Sequence, residues 1–142
     1  MAALRLYLDA SVIAPLFLPD VFIARSRSLL AAKPQVIISD FAAAEFCSIV
    51  GIRVRTGDIT RTRALAALSN FDTWRSDYAA EAKTASEDIE TAQGFLRRLD
   101  LTLRAPDAIN LATAQRLGAD VATFDTKMAA CARKLSISVA AV

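Results

Sequence analysis

The sequence predicts an α/β domain with a mainly parallel sheet covered by helices on both faces. Three observations predict it. Short apolar or β-branched runs alternate with helix-like segments along the whole chain, the pattern that builds parallel sheets through helical crossovers. Proline, glycine and capping side chains fall between those segments, as boundaries require. The 142 residues are 54% hydrophobic with a mean hydropathy of +0.35, enough apolar surface for a full core in one domain over 1–142.

Taken in order, residues 4–8 are an apolar run with Tyr7 and read as a buried strand. Asp9 and Ser11 follow, then an apolar stretch over 12–17 that Pro19 ends. Asp20 suits the cap of a helix over 22–32, which Pro34 stops. The β-branched residues 36–38 read as a second strand, and Asp40 as the cap of a long helix over 40–55 closed by Gly57. Thr60 starts another helix, with Leu65, Leu68 and Phe71 at helical spacing and Trp74 and Tyr78 continuing it. Residues 79–84 are ambiguous, a short strand being one reading. Residues 86–99 form an amphipathic helix whose first turns hold Glu87, Asp88 and Glu90. Pro106 begins a helix to 117 that Gly118 closes. Residues 121–123 read as a strand, 126–135 as a helix and 137–142 as a final strand.

Composition excludes several classes. Charges interrupt every apolar run before the ~18 residues of a membrane span. No leader-like segment opens the chain, so a cytoplasmic location without membrane contact is expected. Cys47 and Cys131 sit in alanine-rich helical sequence and read as reduced, buried thiols. A net charge of +2 is too small for a strongly basic nucleic-acid binder, yet 13 of the 17 basic residues are arginine, the side chain suited to bidentate phosphate contact. The cluster Arg53, Arg55, Arg61 and Arg63 reads either as a solvated helix face or as a phosphate-contacting patch. Val12, Ile13, Leu16, Phe17 and Phe22, with Phe71 and Trp74, read either as core or as a groove for a partner helix.

The chain contains no histidine, so acid, base and metal-ligand chemistry falls largely to oxygen. Asp9, Glu45, Asp107 and Asp125 each lie in apolar or small-residue sequence, where a carboxylate is expensive to desolvate. Convergence of all four would need protons or a cation to relieve repulsion, which points to a hard divalent ion. Asp9 and Asp125 directly follow strands, at the sheet edge where α/β folds bind ligands. Each also fits a helix cap, and Asp107 fits a first-turn acid beside Pro106. Asp40 meets the same edge rule and is read as a cap. Glu45 has the fewest alternatives, because it sits mid-helix among Phe41, Ala42, Ser48 and Ile49.

The chain resembles the PIN-domain ribonucleases, most closely the VapC-type toxins of toxin–antitoxin pairs. The carriers span essentially the whole chain: Tyr7-Leu8-Asp9-Ala10-Ser11-Val12-Ile13-Ala14, Ala43-Ala44-Glu45-Phe46, Arg104-Ala105-Pro106-Asp107-Ala108-Ile109-Asn110 with the small residues after it, and Ala122-Thr123-Phe124-Asp125-Thr126-Lys127-Met128. The resemblance implies a three-layer α/β/α fold around a mainly parallel five-stranded sheet. It implies a metal-dependent endoribonuclease with Mg²⁺ or Mn²⁺ on the quartet Asp9, Glu45, Asp107 and Asp125, Asp40 being excluded. Ser11 matches a hydroxyl residue that supports the first aspartate. Thr123 and Thr126 read either as supporting donors by position or as ordinary strand and first-turn hydroxyls. Asn110 stands where relatives often carry histidine or another polar residue, and its role stays open. Arg53, Arg55, Arg104 and Lys127 are the expected phosphate contacts. RNA, an antitoxin protein and a second copy of the chain are the implied partners. The rival readings are a PIN nuclease of RNA processing, a non-catalytic binding module, and a Mg²⁺-dependent phosphatase. Ser11 speaks against the last, because that chemistry places a second aspartate there.

Overall fold

The computed structural model describes residues 4–142. Among them are four strands and seven helices in alternation: β1 (Arg5–Leu8), α1 (Ala10–Phe17), α2 (Ile23–Ala31), β2 (Gln35–Ser39), α3 (Asp40–Arg55), α4 (Arg61–Tyr78), β3 (Ala79–Ala82), α5 (Ser86–Arg97), α6 (Ala105–Leu117), β4 (Asp120–Ala122) and α7 (Thr126–Lys134). All pairings are parallel, in the order β3-β2-β1-β4. The chain therefore winds outward from β1 to β3, then returns to lay β4 on the other side of β1. That reversal opens a crevice between the carboxyl ends of β1 and β4, the place where doubly wound sheets receive ligands.

The period of two along the strands sorts the core into two layers. Leu6, Leu8, Val36 and Ile38 face α1, α3 and α4, while Tyr7, Ile37 and Val121 face α6 and α7. The first layer is closed by aromatic rings. Phe17 lies 5.8, 5.6 and 5.7 Å from the ring centroids of Phe46, Phe71 and Trp74, and Phe46 lies 4.6 Å from Phe71. Val12, Ile13, Phe17, Phe71 and Trp74 are thus committed to the core or packed against it, while Leu16 and Phe22 stay partly exposed. On the other side, α5 packs on α6 through Ala92, Ala108 and Ala112. Asp88 pins the pair, accepting from Arg116 at 2.7 and 2.9 Å, Thr113 at 3.2 Å and the Ala85 amide at 2.8 Å.

Three sequence expectations shift. The final strand is reduced to one bridge, Val121↔Val139, held by Val121 N to Ser138 O and Ala140 N to Val121 O. β4 is only three residues long, and the chain turns away after Ala122, so little template remains for a fifth strand. The cap of α3 is Ser39, whose hydroxyl accepts from the Ala42 amide at 3.0 Å, and not Asp40. Asp40 instead accepts from the Thr84 amide and hydroxyl at 2.9 and 2.6 Å, tying the end of β3 to the start of α3. The helix over 86–99 stops at Arg97, because Leu99 adopts a left-handed φ of 62°. The ambiguous segment becomes edge strand β3, and Gly118, at φ 62°, closes α6 as expected.

Candidate active site

Asp9, Glu45, Asp107 and Asp125 line one cavity of about 420 Å³ at the carboxyl edge of β1 and β4. Four elements deliver them. Asp9 ends β1 and caps α1, and Asp125 follows β4 and caps α7, accepting from the Lys127 and Met128 amides at 3.0 and 3.1 Å. Cap and cavity positions coincide because a residue joining a strand's carboxyl end to the next helix stands at the sheet edge. Asp107 rides the first turn of α6, and Glu45 the second turn of α3.

Asp9 is the buried member, 6% exposed. Its Oδ1 accepts from the Ser11 amide at 2.9 Å and the Ser11 hydroxyl at 2.5 Å, and its Oδ2 accepts from the Thr123 hydroxyl at 2.6 Å. Thr123 Oγ1 in turn accepts from the Asp125 amide at 3.1 Å, and Ser11 Oγ from the Phe124 amide at 2.9 Å, so two hydroxyls lock both aspartates into one frame. Burial pushes the Asp9 carboxyl above its usual range, against the opposing pull of Ser11 and Thr123.

Glu45 is half-buried. Its Oε1 accepts from Asn110 Nδ2 at 2.7 Å; the Asn110 amide also donates to Pro106 O at 3.1 Å, while its Oδ1 accepts from the Tyr7 hydroxyl at 2.6 Å. Tyr7 meets Ser39 Oγ at 2.7 Å. A buried chain thus runs from the α3 cap through Tyr7 and Asn110 to Glu45, and it gives the open position of Asn110 a structural task. Desolvation raises the Glu45 carboxyl, Asn110 opposes that, and Asp9 and Asp107 add to it. Desolvation likewise raises Asp107, with Arg104 opposing and Asp125 adding. Burial also lifts the Tyr7 phenol far above its normal value, so it remains a neutral donor.

Ile49 and Ile52 form an apolar wall of the cavity beside Ser48. Arg104 stands at the rim, 80% exposed and 3.8 Å from Asp107. The other expected phosphate contacts lie elsewhere. Arg53 donates to Pro19 O and pairs with Asp20 at 3.1 Å and Asp58 at 3.7 Å, holding the α1–α2 turn. Arg55 faces a groove between α3 and α4, and Lys127 is exposed on α7. Thr126 is exposed and makes no hydrogen bond to the acids among the described residues. Sequence reasoning missed Tyr7 and Ser39 as supports. Their only signal is a hydroxyl among the otherwise apolar buried positions of β1 and β2.

The donor set fits a hard cation: carboxylate oxygens on one cavity, three of them raised by burial and, for Glu45 and Asp107, by neighbouring carboxylates. Among the described residues the acids do not close into a cluster of three ready to enclose an ion. A cation that keeps several waters needs only one or two direct carboxylates.

The fold defines a class, parallel α/β domains with an acidic cavity at the carboxyl edge of the sheet. The chain belongs to the PIN-domain family, in its VapC-type branch: the PIN-domain model matches residues 6–134, and Ribonuclease VapC46 of Mycobacterium tuberculosis is 32% identical over 144 aligned positions, covering 99% of this chain and 98% of that protein. Among solved structures, Mycobacterium tuberculosis VapC20, a sarcin–ricin loop cleaving toxin, matches with a TM-score of 0.71 at 22% identity over 88% of this chain and 93% of its own. A toxin–antitoxin complex from Klebsiella pneumoniae matches with a TM-score of 0.56 at 25% identity, over 85% and 87%. No helix among the described residues is long and apolar enough to cross a membrane.

Proposed function

We propose that this protein is the toxin of a toxin–antitoxin pair, an endoribonuclease that hydrolyses RNA phosphodiester bonds with Mg²⁺ or Mn²⁺ held by Asp9, Glu45, Asp107 and Asp125. The observation that carries the reading is the arrival of four carboxylates, from four elements, on one cavity. When bound, the cation lowers the pKa of a water and offsets charge on the scissile phosphate. The chain's own residues do the positioning. Ser11 and Thr123 orient Asp9 through both of its oxygens. Asn110 fixes one oxygen of Glu45, and its other oxygen, without a hydrogen bond among the described residues, is the group assigned to accept the attacking water's proton. Arg104 at the rim holds a phosphate flanking the cut.

The full-length likeness to a VapC ribonuclease supports RNA as substrate. Single-stranded or looped RNA suits the site best, because unstacked bases are accessible and the backbone bends into a cavity. The match to a toxin–antitoxin complex supports a protein antitoxin as partner. The toxin acts in the cytoplasm and pairs with a second copy, which light scattering after gel filtration checks. The decisive experiment is cleavage of a single-stranded RNA by purified protein. It proceeds with Mg²⁺ or Mn²⁺, stops with EDTA, and is abolished in Asp9→Asn with the circular dichroism spectrum unchanged. Retained cleavage in Asp9→Asn overturns the assignment.

A further inference from the structure

A second cavity, of about 460 Å³, shares a wall with the acid cavity. The wall is the segment over 123–126. Thr123, Phe124 and Thr126 line the second cavity, and Asp125 between them lines the first. Its floor is aromatic. The rings of Phe22 and Phe124 stack with centroids 4.8 Å apart and planes inclined by 23°. The Arg25 guanidinium lies 5.1 and 4.9 Å from the two ring centroids and donates to Val142 O at 3.1 Å. Two rings and one backbone oxygen therefore hold this cation beside the aromatic pair. Arg133 lines the same cavity. Among the described residues neither arginine pairs with an acidic side chain.

A guanidinium held beside two phenylalanine rings is chemistry for stacking a base, and a nearby exposed arginine is chemistry for its phosphate. The volume lies within the ~300–1,000 Å³ range of small-ligand sites. We propose that this cavity is a nucleotide subsite: it binds the RNA nucleotide adjacent to the phosphate cut in the acid cavity, with Arg25 and the Phe22–Phe124 pair under the base and Arg133 on the phosphate. The assignment of the cut to the acid cavity rests on the function proposed above; the subsite's affinity for RNA is measured apart from it.

The measurement is fluorescence anisotropy of a 5′-labelled hexaadenylate RNA with Asp9→Asn protein, so that nothing is cut. Adding Arg133→Ala or Arg25→Gln weakens Kd about tenfold each. Removing a phosphate contact also lowers the slope of log affinity against log salt by about 0.7. Arg133 is exposed and makes no side-chain hydrogen bond among the described residues, so its variant folds and keeps the test decisive. Unchanged affinity in both variants overturns the subsite. If the wild type cleaves RNA in that case, the nuclease reading stands alone. Arginine-dependent binding without cleavage by the wild type supports the subsite and overturns the nuclease reading. Loss of affinity for an octaglutamate peptide, with RNA affinity retained, overturns the proposal and gives the cavity to an acidic protein segment.

Discussion

Individual side chains in this site matter through what they hold. Asn110 touches Glu45 with one end and Tyr7 with the other, so its removal frees the glutamate and leaves the buried phenol with Ser39 alone. Asn110→Ala should lower Mn²⁺ affinity about 10- to 100-fold, the usual effect of losing a group that orients a ligand. Titration calorimetry with Mn²⁺ measures this, and an unaltered affinity removes Asn110 from the positioning role. Thr123 gives Asp9 Oδ2 its one side-chain hydrogen bond among the described residues. Thr123→Val withdraws a donor that favours the charged form, so an already raised Asp9 pKa rises further. Since the carboxylate is the working form, the acid limb of the pH–rate profile should move to higher pH. A limb that stays in place argues that another group sets it.

At the scale of elements, α5 and α6 are fastened by one buried carboxylate. Asp88 is 1% exposed and receives both Arg116 nitrogens, the Thr113 hydroxyl and the Ala85 amide. Burial alone would raise its pKa, but the Arg116 bonds win and the carboxyl lies below its usual range. A lowered native pKa contributes stability above the unfolded value near ~3.9, and that contribution is lost as pH falls through the native one. Asp88→Ala should destabilise the fold by about 2 kcal/mol. That is below the ~3–5 kcal/mol of a fully buried pair, because the freed Arg116 is 30% exposed and regains water. Urea melts at neutral pH measure it, and RNA cleavage should persist because the pin lies outside the acid cavity. The α3 end of the site shows how fine element boundaries are. In sequence Asp40 suits the cap of α3, and the extended backbone at Ser39, with ψ 157°, moves the cap one residue earlier to the serine.

For the whole molecule, the acids cost stability in the metal-free state. Asp9, Glu45 and Asp107 all have raised native pKa values, so between the unfolded and native values the folded chain binds more protons than the unfolded one. Their contribution therefore destabilises as pH rises through that window. A divalent cation relieves it and competes with protons for the same oxygens. The rise in Tm on adding Mn²⁺ should be largest near neutral pH, shrink as pH falls toward ~4, and be smaller at neutral pH in Glu45→Gln. Thermal melts across pH with and without Mn²⁺ check this. A Tm rise independent of pH would place the ion away from these carboxylates.

Much of this was legible in the chain because it is local. The strand–helix alternation, the Thr60 cap and the Gly118 stop depend on residues within a few positions of one another. So does the placing of Asp9 and Asp125 at strand ends, although in sequence cap and ligand looked like alternatives and the fold makes them one position. What only the tertiary structure decided depends on segments far apart. The order β3-β2-β1-β4 sets β1 beside β4 and so brings Asp9 to Asp125. Asn110 finds Tyr7 across 103 residues and Glu45 across 65. Arg53 is drawn to Asp20, leaving the cavity rim to Arg104, while Arg25 settles on two phenylalanines beside it. Local propensity fixes which side chains end each element; only the pairing of distant strands fixes which of them meet.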